Sequence, residues 1–153
     1  MTEPMTSRPG EIPAGFEPIA IGGEFMRLNG PLYLRHQGDL VQVGFRVEAR
    51  HCNPMGICHG GMMASFCDML LPISAHRKST EVGQRFLPTI NLQVDYLGPA
   101  PLGAWVQGEA QVLRVTRSLL FAQGLATADG APAVRVSGIF KLGPPLAAAR
   151  DGG

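Results

Sequence analysis

Val41, Val43 and Phe45 recur at alternate positions within residues 40–47, and a shorter alternating run at 32–35 lies on the other side of Gln37-Gly38-Asp39. A period of two around such a break predicts a β-hairpin. The period then changes. Across residues 59–75 (HGGMMASFCDMLLPISA) apolar side chains occupy nearly every helical face, which at this length predicts a buried helix rather than a surface one. Four further strand-like runs follow at 87–97, 104–115, 119–128 and 133–142. In the first, Ile90, Leu92, Val94 and Tyr96 alternate with Thr89, Asn91, Gln93 and Asp95, the pattern of a half-buried strand. Gly98-Pro99 and Pro101 separate the first two runs, and Ala128-Asp129-Gly130 reads as a tight turn between the last two. A helix buried all round needs a sheet to wrap it. Hairpin, helix and antiparallel meander together predict an α+β fold in which a curved antiparallel sheet surrounds one long central helix.

At 153 residues the chain has the size of one domain, expected over 1–153. Residues 1–14 and the tail from Gly143 are rich in Pro and Gly and are expected to be poorly ordered. Thirteen Lys plus Arg against twelve Asp plus Glu leave a net charge of +1, with no run of like charge to track a phosphate backbone, so nucleic acid is not an expected partner. MTEPMTSRPG has no basic stretch leading into an apolar one, and nowhere are there about 18 consecutive apolar residues. A cytoplasmic protein without a membrane partner is expected. Cys52, Cys58 and Cys67 are odd in number and lack paired spacing, which predicts free, buried thiols. His51-Cys52 and Cys58-His59 put four soft ligands close together, yet adjacent residues seldom converge on one ion. No metal and no other cofactor is expected.

Between Arg50 and Arg77 the one formally charged side chain is Asp68, in the middle of the apolar helix. An ionised carboxylate there costs several kcal/mol or more unless paired, so Asp68 either reaches a sheet edge or solvent, or is a functional group. Pro72 removes the backbone donor to the Asp68 carbonyl; the helix either bends there or is already in its last turn. At its start, His59-Gly60-Gly61 reads as a Gly-rich turn into the helix or as a place where a ligand approaches the backbone. The first helical amides lack internal acceptors and lie at the positive end of the dipole, so they suit an oxygen that develops negative charge. Gly60 and Asp68 are eight residues apart, about 12 Å along a helix, too far to share one reacting carbonyl. Two antiparallel copies of the helix at a twofold axis would bring the start of one to the middle of the other. The spacing therefore predicts an obligate dimer with composite sites.

The string Asn53-Pro54-Met55-Gly56-Ile57-Cys58-His59-Gly60-Gly61, with an acid nine residues after the histidine, resembles the hotdog-fold thioesterases of the phenylacetic-acid-degradation (PaaI) type. The likeness continues through residues 89–100 (TINLQVDYLGPA) to Lys141, so residues 30–142 match in order and spacing. It implies hydrolysis of an acyl-CoA thioester by a homo-oligomer, dimer or tetramer, with CoA entering as part of the substrate. It further implies Asp68 as general base or nucleophile, the Gly60 amide as oxyanion donor, and Asn53 and His59 as groups that shape the site. Thr89 would orient the attacking water. Gly61, Asn91 and the turn Thr116-Arg117-Ser118 would contact the substrate, the turn meeting CoA phosphate or pantetheine unless it is only a solvated hairpin end.

Three other readings compete. A cysteine hydrolase would use Cys58 or Cys67 with a histidine, though Cys58 and His59 are neighbours whose side chains diverge on a helix. Hydratases and dehydratases of acyl thioesters share the implied fold, but the acid spacing and Asn53 favour the thioesterase. A non-catalytic acyl-CoA sensor would keep the fold without the chemistry. Met62, Met63, Phe66 and Met69 are candidate acyl-pocket walls, although a Met-rich helix face is more often core.

Overall fold

The computed structural model describes residues 10–146. Its strands are β1 (Glu17–Ile19), β2 (Leu32–Gln37), β3 (Leu40–Arg46), β4 (Thr89–Tyr96), β5 (Trp105–Val115), β6 (Leu119–Ala128) and β7 (Ala131–Lys141); its helices are α1 (Gly23–Asn29) and α2 (Gly60–Lys78). All seven strands form one antiparallel sheet in the order β1-β2-β3-β5-β6-β7-β4. The sheet packs on α2 through Phe66, Leu70, Leu71 and Ile73, which meet Val43, Phe45, Val106 and Phe140 in a single cluster. Phe45 and Phe66 rings lie 5.1 Å apart. Small residues let the helix sit close: a Cβ at Gly108 would stand 2.6 Å from Leu70 Cδ2, and one at Gly138 2.8 Å from Leu71 Cδ1. This is the wrapped helix that the hydrophobic pattern predicts.

Four features depart from that prediction. The last four strands are not a simple meander, because β4 crosses to the far edge and pairs with β7 while β5 pairs with β3. The linker between β4 and β5 is too long for a tight turn; it pairs with residues 56–58 instead. Secondly, α2 runs through Pro72 to Lys78. Arg77 and Lys78 supply cations to its last turn, where the dipole favours them, so Pro72 is interior and not terminal. Thirdly, α2 is not buried all round: Ala64, Ser65, Asp68, Met69, Pro72 and His76 form a half-buried stripe. Finally, order extends further toward the ends than composition suggests. Gly143 donates to the Phe86 carbonyl and Leu146 to the Gln84 carbonyl, at 2.9 and 2.8 Å, and the Ala14 carbonyl accepts from the Arg35 guanidinium at 3.1 Å. The remainder of both expected tails lies outside the described residues.

The segment carrying β1 and α1 was not visible in the pattern. It covers the half-buried stripe of α2, and the C-terminal end of α1 is fastened from one turn. The Arg50 guanidinium donates to the Leu28 and Gly30 carbonyls, and His51 Nε2 lies 2.7 Å from the Asn29 carbonyl. Among the described residues no helix is long and apolar enough to cross a membrane.

Candidate active site

The start of α2 is fixed by the loop before it. Asn53 Oδ1 accepts from the amides of Met55 at 3.0 Å and Ile57 at 3.4 Å, so the side chain closes its own turn. From outside, the Cys58 amide donates to the Ala100 carbonyl and the Leu102 amide to the Gly56 carbonyl. The loop delivers His59 in an extended conformation, φ −58° and ψ 138°, as the residue that caps α2. His59 Nδ1 accepts from the Gly61 amide at 2.8 Å, which puts the proton of the neutral ring on Nε2.

An α-helix begins with N–H groups that have no internal acceptor. Here the His59 amide donates to the His51 carbonyl, Gly61 to His59 Nδ1, and Met62 and Met63 to the His59 carbonyl. Among the described residues the Gly60 amide is the one donor of this first turn without an acceptor. Both glycines are held tightly. A Cβ at Gly61 would lie 3.0 Å from His59 Nδ1, and one at Gly60 3.3 Å from Tyr96 Oη. That phenol donates to the Gly60 carbonyl at 2.6 Å.

Two turns along, Asp68 is half-buried. Thr89 Oγ1, the first side chain of β4, donates to Asp68 Oδ1 at 2.6 Å. The bond leaves Asp68 Oδ2 and the threonine lone pairs free for a water or substrate. Beside them opens a cavity of about 550 Å³, walled mainly by Ile21, Phe25, Met26, Met69, Phe86 and Leu87. Strand β4 thus runs alongside α2, with its first residue on Asp68 and its last on Gly60.

The thiols sit in a different environment. Burial pushes Cys67 up to about 12, with the nearby Asp68 adding to it. Burial likewise pushes Cys58 up to about 12, helped by Cys52. Neither forms a thiolate near neutrality, so the cysteine-hydrolase reading has no nucleophile. His51 is buried, with Nδ1 accepting from the Glu48 amide at 3.0 Å. Desolvation is the main cause that lowers its pKa.

The structure therefore joins Asp68 to Thr89 and His59 to Gly61, and it turns Asn53 inward to support the loop. It does not bring Gly60 to Asp68 within one chain. Asn91 is exposed on β4, just past a bulge at Ile90. Thr116 spends its hydroxyl on the turn, accepting from the Leu119 amide at 3.0 Å. Arg117 and Ser118 are exposed at the sheet end where β4 begins, since Leu142 donates to the Ser118 carbonyl and Lys141 to the Pro88 carbonyl. Sequence reasoning missed Tyr96 and the residues of α1. A tyrosine closing an alternating strand, with one face apolar and a polar tip, was the available signal for the first; seven residues between glycines gave none for the second.

Residues 55–131 match the family model of the thioesterase superfamily. A Pseudomonas aeruginosa PAO1 protein with a provisional esterase name is 30% identical over 133 residues, covering 86% of this chain and 97% of that one. Among solved structures, a hypothetical thioesterase of Streptococcus pneumoniae TIGR4 with coenzyme A superposes with a TM-score of 0.64, at 16% identity over 81% of this chain and 99% of that one. A single-substitution variant of the phenylacetic acid degradation protein PaaI of Thermus thermophilus superposes at 0.60, with 23% identity over 76% and 96% of the two chains. These last two likenesses are of fold.

Proposed function

Since the chain belongs to the thioesterase superfamily and has its hotdog fold, we propose that it hydrolyses acyl-CoA thioesters, with Asp68 as general base and the Gly60 amide as oxyanion donor. One observation carries the reading: Gly60 holds the single unaccepted donor of its helix turn, while the carboxylate Asp68 is aligned by Thr89 at the mouth of an apolar cavity. In the reaction the water oxygen attacks the thioester carbonyl carbon as Asp68 takes its proton. The oxyanion is stabilised by the Gly60 N–H and the positive end of the helix. Collapse breaks the C–S bond, and the protonated Asp68 returns its proton to the leaving CoA sulfur. The hydroxyl of Thr89 donates to Asp68 and can still accept from the water, which favours the water route over direct attack by Asp68. Single turnover in ¹⁸O-water reads the route: the water route puts label only in the released acid, and label found in Asp68 would show direct attack, with the resulting anhydride opened by water at the aspartyl carbonyl.

Both groups meet one carbonyl only across two copies of the chain. Strand β4 is the last strand of the sheet, so one of its edges carries unpaired backbone groups. Ile90 and Tyr96 are exposed on it. Antiparallel pairing of two such edges about a twofold sets the Tyr96 end of one β4 beside the Thr89 end of the other. That places Gly60 of one copy near Asp68 of the second, in two equivalent sites. Arg117, exposed and without a carboxylate partner among the described residues, stands at the same sheet end as Thr89 and is suited to a CoA phosphate. Thiol release from an acyl-CoA panel tests the function. The native protein should turn over at least one thioester, and Asp68→Asn should lose about 10²-fold or more in kcat. Full turnover by that variant would remove Asp68 from the mechanism, and tight acyl-CoA binding without thiol release would favour a sensor.

A further inference from the structure

The half-buried stripe of α2 is the floor of a longer apolar trench. The cavity at Asp68 adjoins a second, of about 490 Å³, and the two share Ile21, Gly22, Gly23, His76 and Leu146. The second continues past Ile73 to Arg77 and Gln84. The roof is the β1–α1 segment, held down at its far end by Arg50 and His51. Roof and floor approach closely at one point: a Cβ on Gly22 would lie 3.0 Å from Met69 Cε. Met26 and Met69 line this narrow section, and unbranched, rotatable side chains adapt to what passes between them.

Three polar groups along the trench are committed, while Arg77 and Gln84 are exposed at its far end. Thr89 is bonded to Asp68, Ser65 Oγ donates to the Gly61 carbonyl at 2.9 Å, and His76 Nε2 is held 2.7 Å from the Arg85 carbonyl. A site that selects a hydroxylated or charged acyl group needs a polar partner for it; along the stretch next to Asp68, Thr89 and Ser65 have each spent their one hydroxyl proton and His76 Nε2 is held by a carbonyl. From Asp68 to Arg77 the floor runs nine residues of helix, about 13 Å. An extended chain advancing roughly 1.2 Å per bond fills that length with about ten carbons, whereas a single ring would occupy only the end next to Asp68.

We propose that the acyl group cleaved at Asp68 is a linear aliphatic chain of medium length, lying along α2 beneath α1. This rests on the reading of Asp68 as the catalytic carboxylate. Each methylene moved from water into the trench raises kcat/KM by about three- to fourfold until the trench is full.

The test is a panel of butanoyl-, octanoyl-, decanoyl-, phenylacetyl- and 4-hydroxybenzoyl-CoA, run on the native protein, on Asp68→Asn, and on Leu146→Trp and Ile21→Trp. The two tryptophan variants enlarge side chains that line both cavities where they adjoin. Decanoyl-CoA should exceed both butanoyl- and phenylacetyl-CoA by at least about tenfold in kcat/KM, and at least one tryptophan variant should cut the decanoyl-to-butanoyl ratio by about tenfold or more. Asp68-dependent turnover that prefers an aryl substrate, or a ratio unchanged in both variants, overturns the aliphatic trench and leaves the thioesterase reading intact. Turnover of no substrate above the Asp68→Asn level overturns both.

Discussion

Thr89 donates to Asp68, and the proposed role of that pair makes a prediction at the residue scale. Thr89→Ala removes a hydrogen bond to a charged group, a loss of roughly tenfold in kcat, with a smaller effect on KM. Replacing Cys52, Cys58 and Cys67 together by Ala should leave turnover in place; loss of all activity in a folded triple variant would reopen the cysteine mechanism. His51 makes a prediction about acid. Its folded pKa lies below the ordinary value of about 6.5, so between the two values the unfolded chain binds more protons than the folded one. Stability is then highest above pH 6.5 and declines as the pH falls from there toward the folded pKa. Urea unfolding at a series of pH values should show that decline, and His51→Gln should lose this part of it. Asp68 was legible in the sequence because it is the one charge in an apolar run. Thr89 was legible only through the family pattern, since nothing local marks a threonine at the start of a strand as the partner of a residue 21 positions away. Tyr96 on Gly60 and His51 on Asn29 depend on folding together distant segments, and composition carries no trace of either.

Helix α2 and strand β4 set the geometry of the site between them. The cap at His59 both starts the helix and takes the Gly61 amide out of competition, leaving Gly60 as the free donor. His59→Ala should therefore destabilise the fold by about 1 kcal/mol and lower kcat, readable by urea unfolding and thiol release on the same preparation. A variant with native stability would mean that the imidazole does not cap. The existence of both elements was legible because period and length are local properties. Their ends were less so: β4 begins after Pro88, which lacks a ladder donor, and α2 continues three residues past the last apolar position. The proline signal was ambiguous, since the helix absorbs Pro72 with the Asp68 carbonyl deprived of its backbone donor. The half-buried stripe of α2 was hard to see because three of its six residues, Ala64, Met69 and Pro72, are apolar; a face lining a cavity and a face lining a core overlap in composition.

In the whole molecule, the place of β4 at the sheet edge is what links fold to function. Strand order was the least legible feature. The sequence specifies turns between neighbours in the chain, whereas the pairing of β3 with β5 and of β4 with β7 is decided by packing around α2. The order matters because an edge strand beside α2 offers a second copy the template that the proposed composite site requires. Subunit complementation measures this directly. Gly60→Pro deletes the proposed oxyanion donor at a first-turn position where proline suits a helix, and the extended His59 before it is compatible with a following proline. Asp68→Asn deletes the base. Each variant alone should be nearly inactive. Refolded together in equal amounts, they should form mixed dimers in which one of the two sites has both native groups, restoring about a quarter of native activity. A mixture that forms mixed dimers and stays as inactive as its components would contradict the composite site, because Gly60 and Asp68 would then have to serve the same carbonyl from one chain.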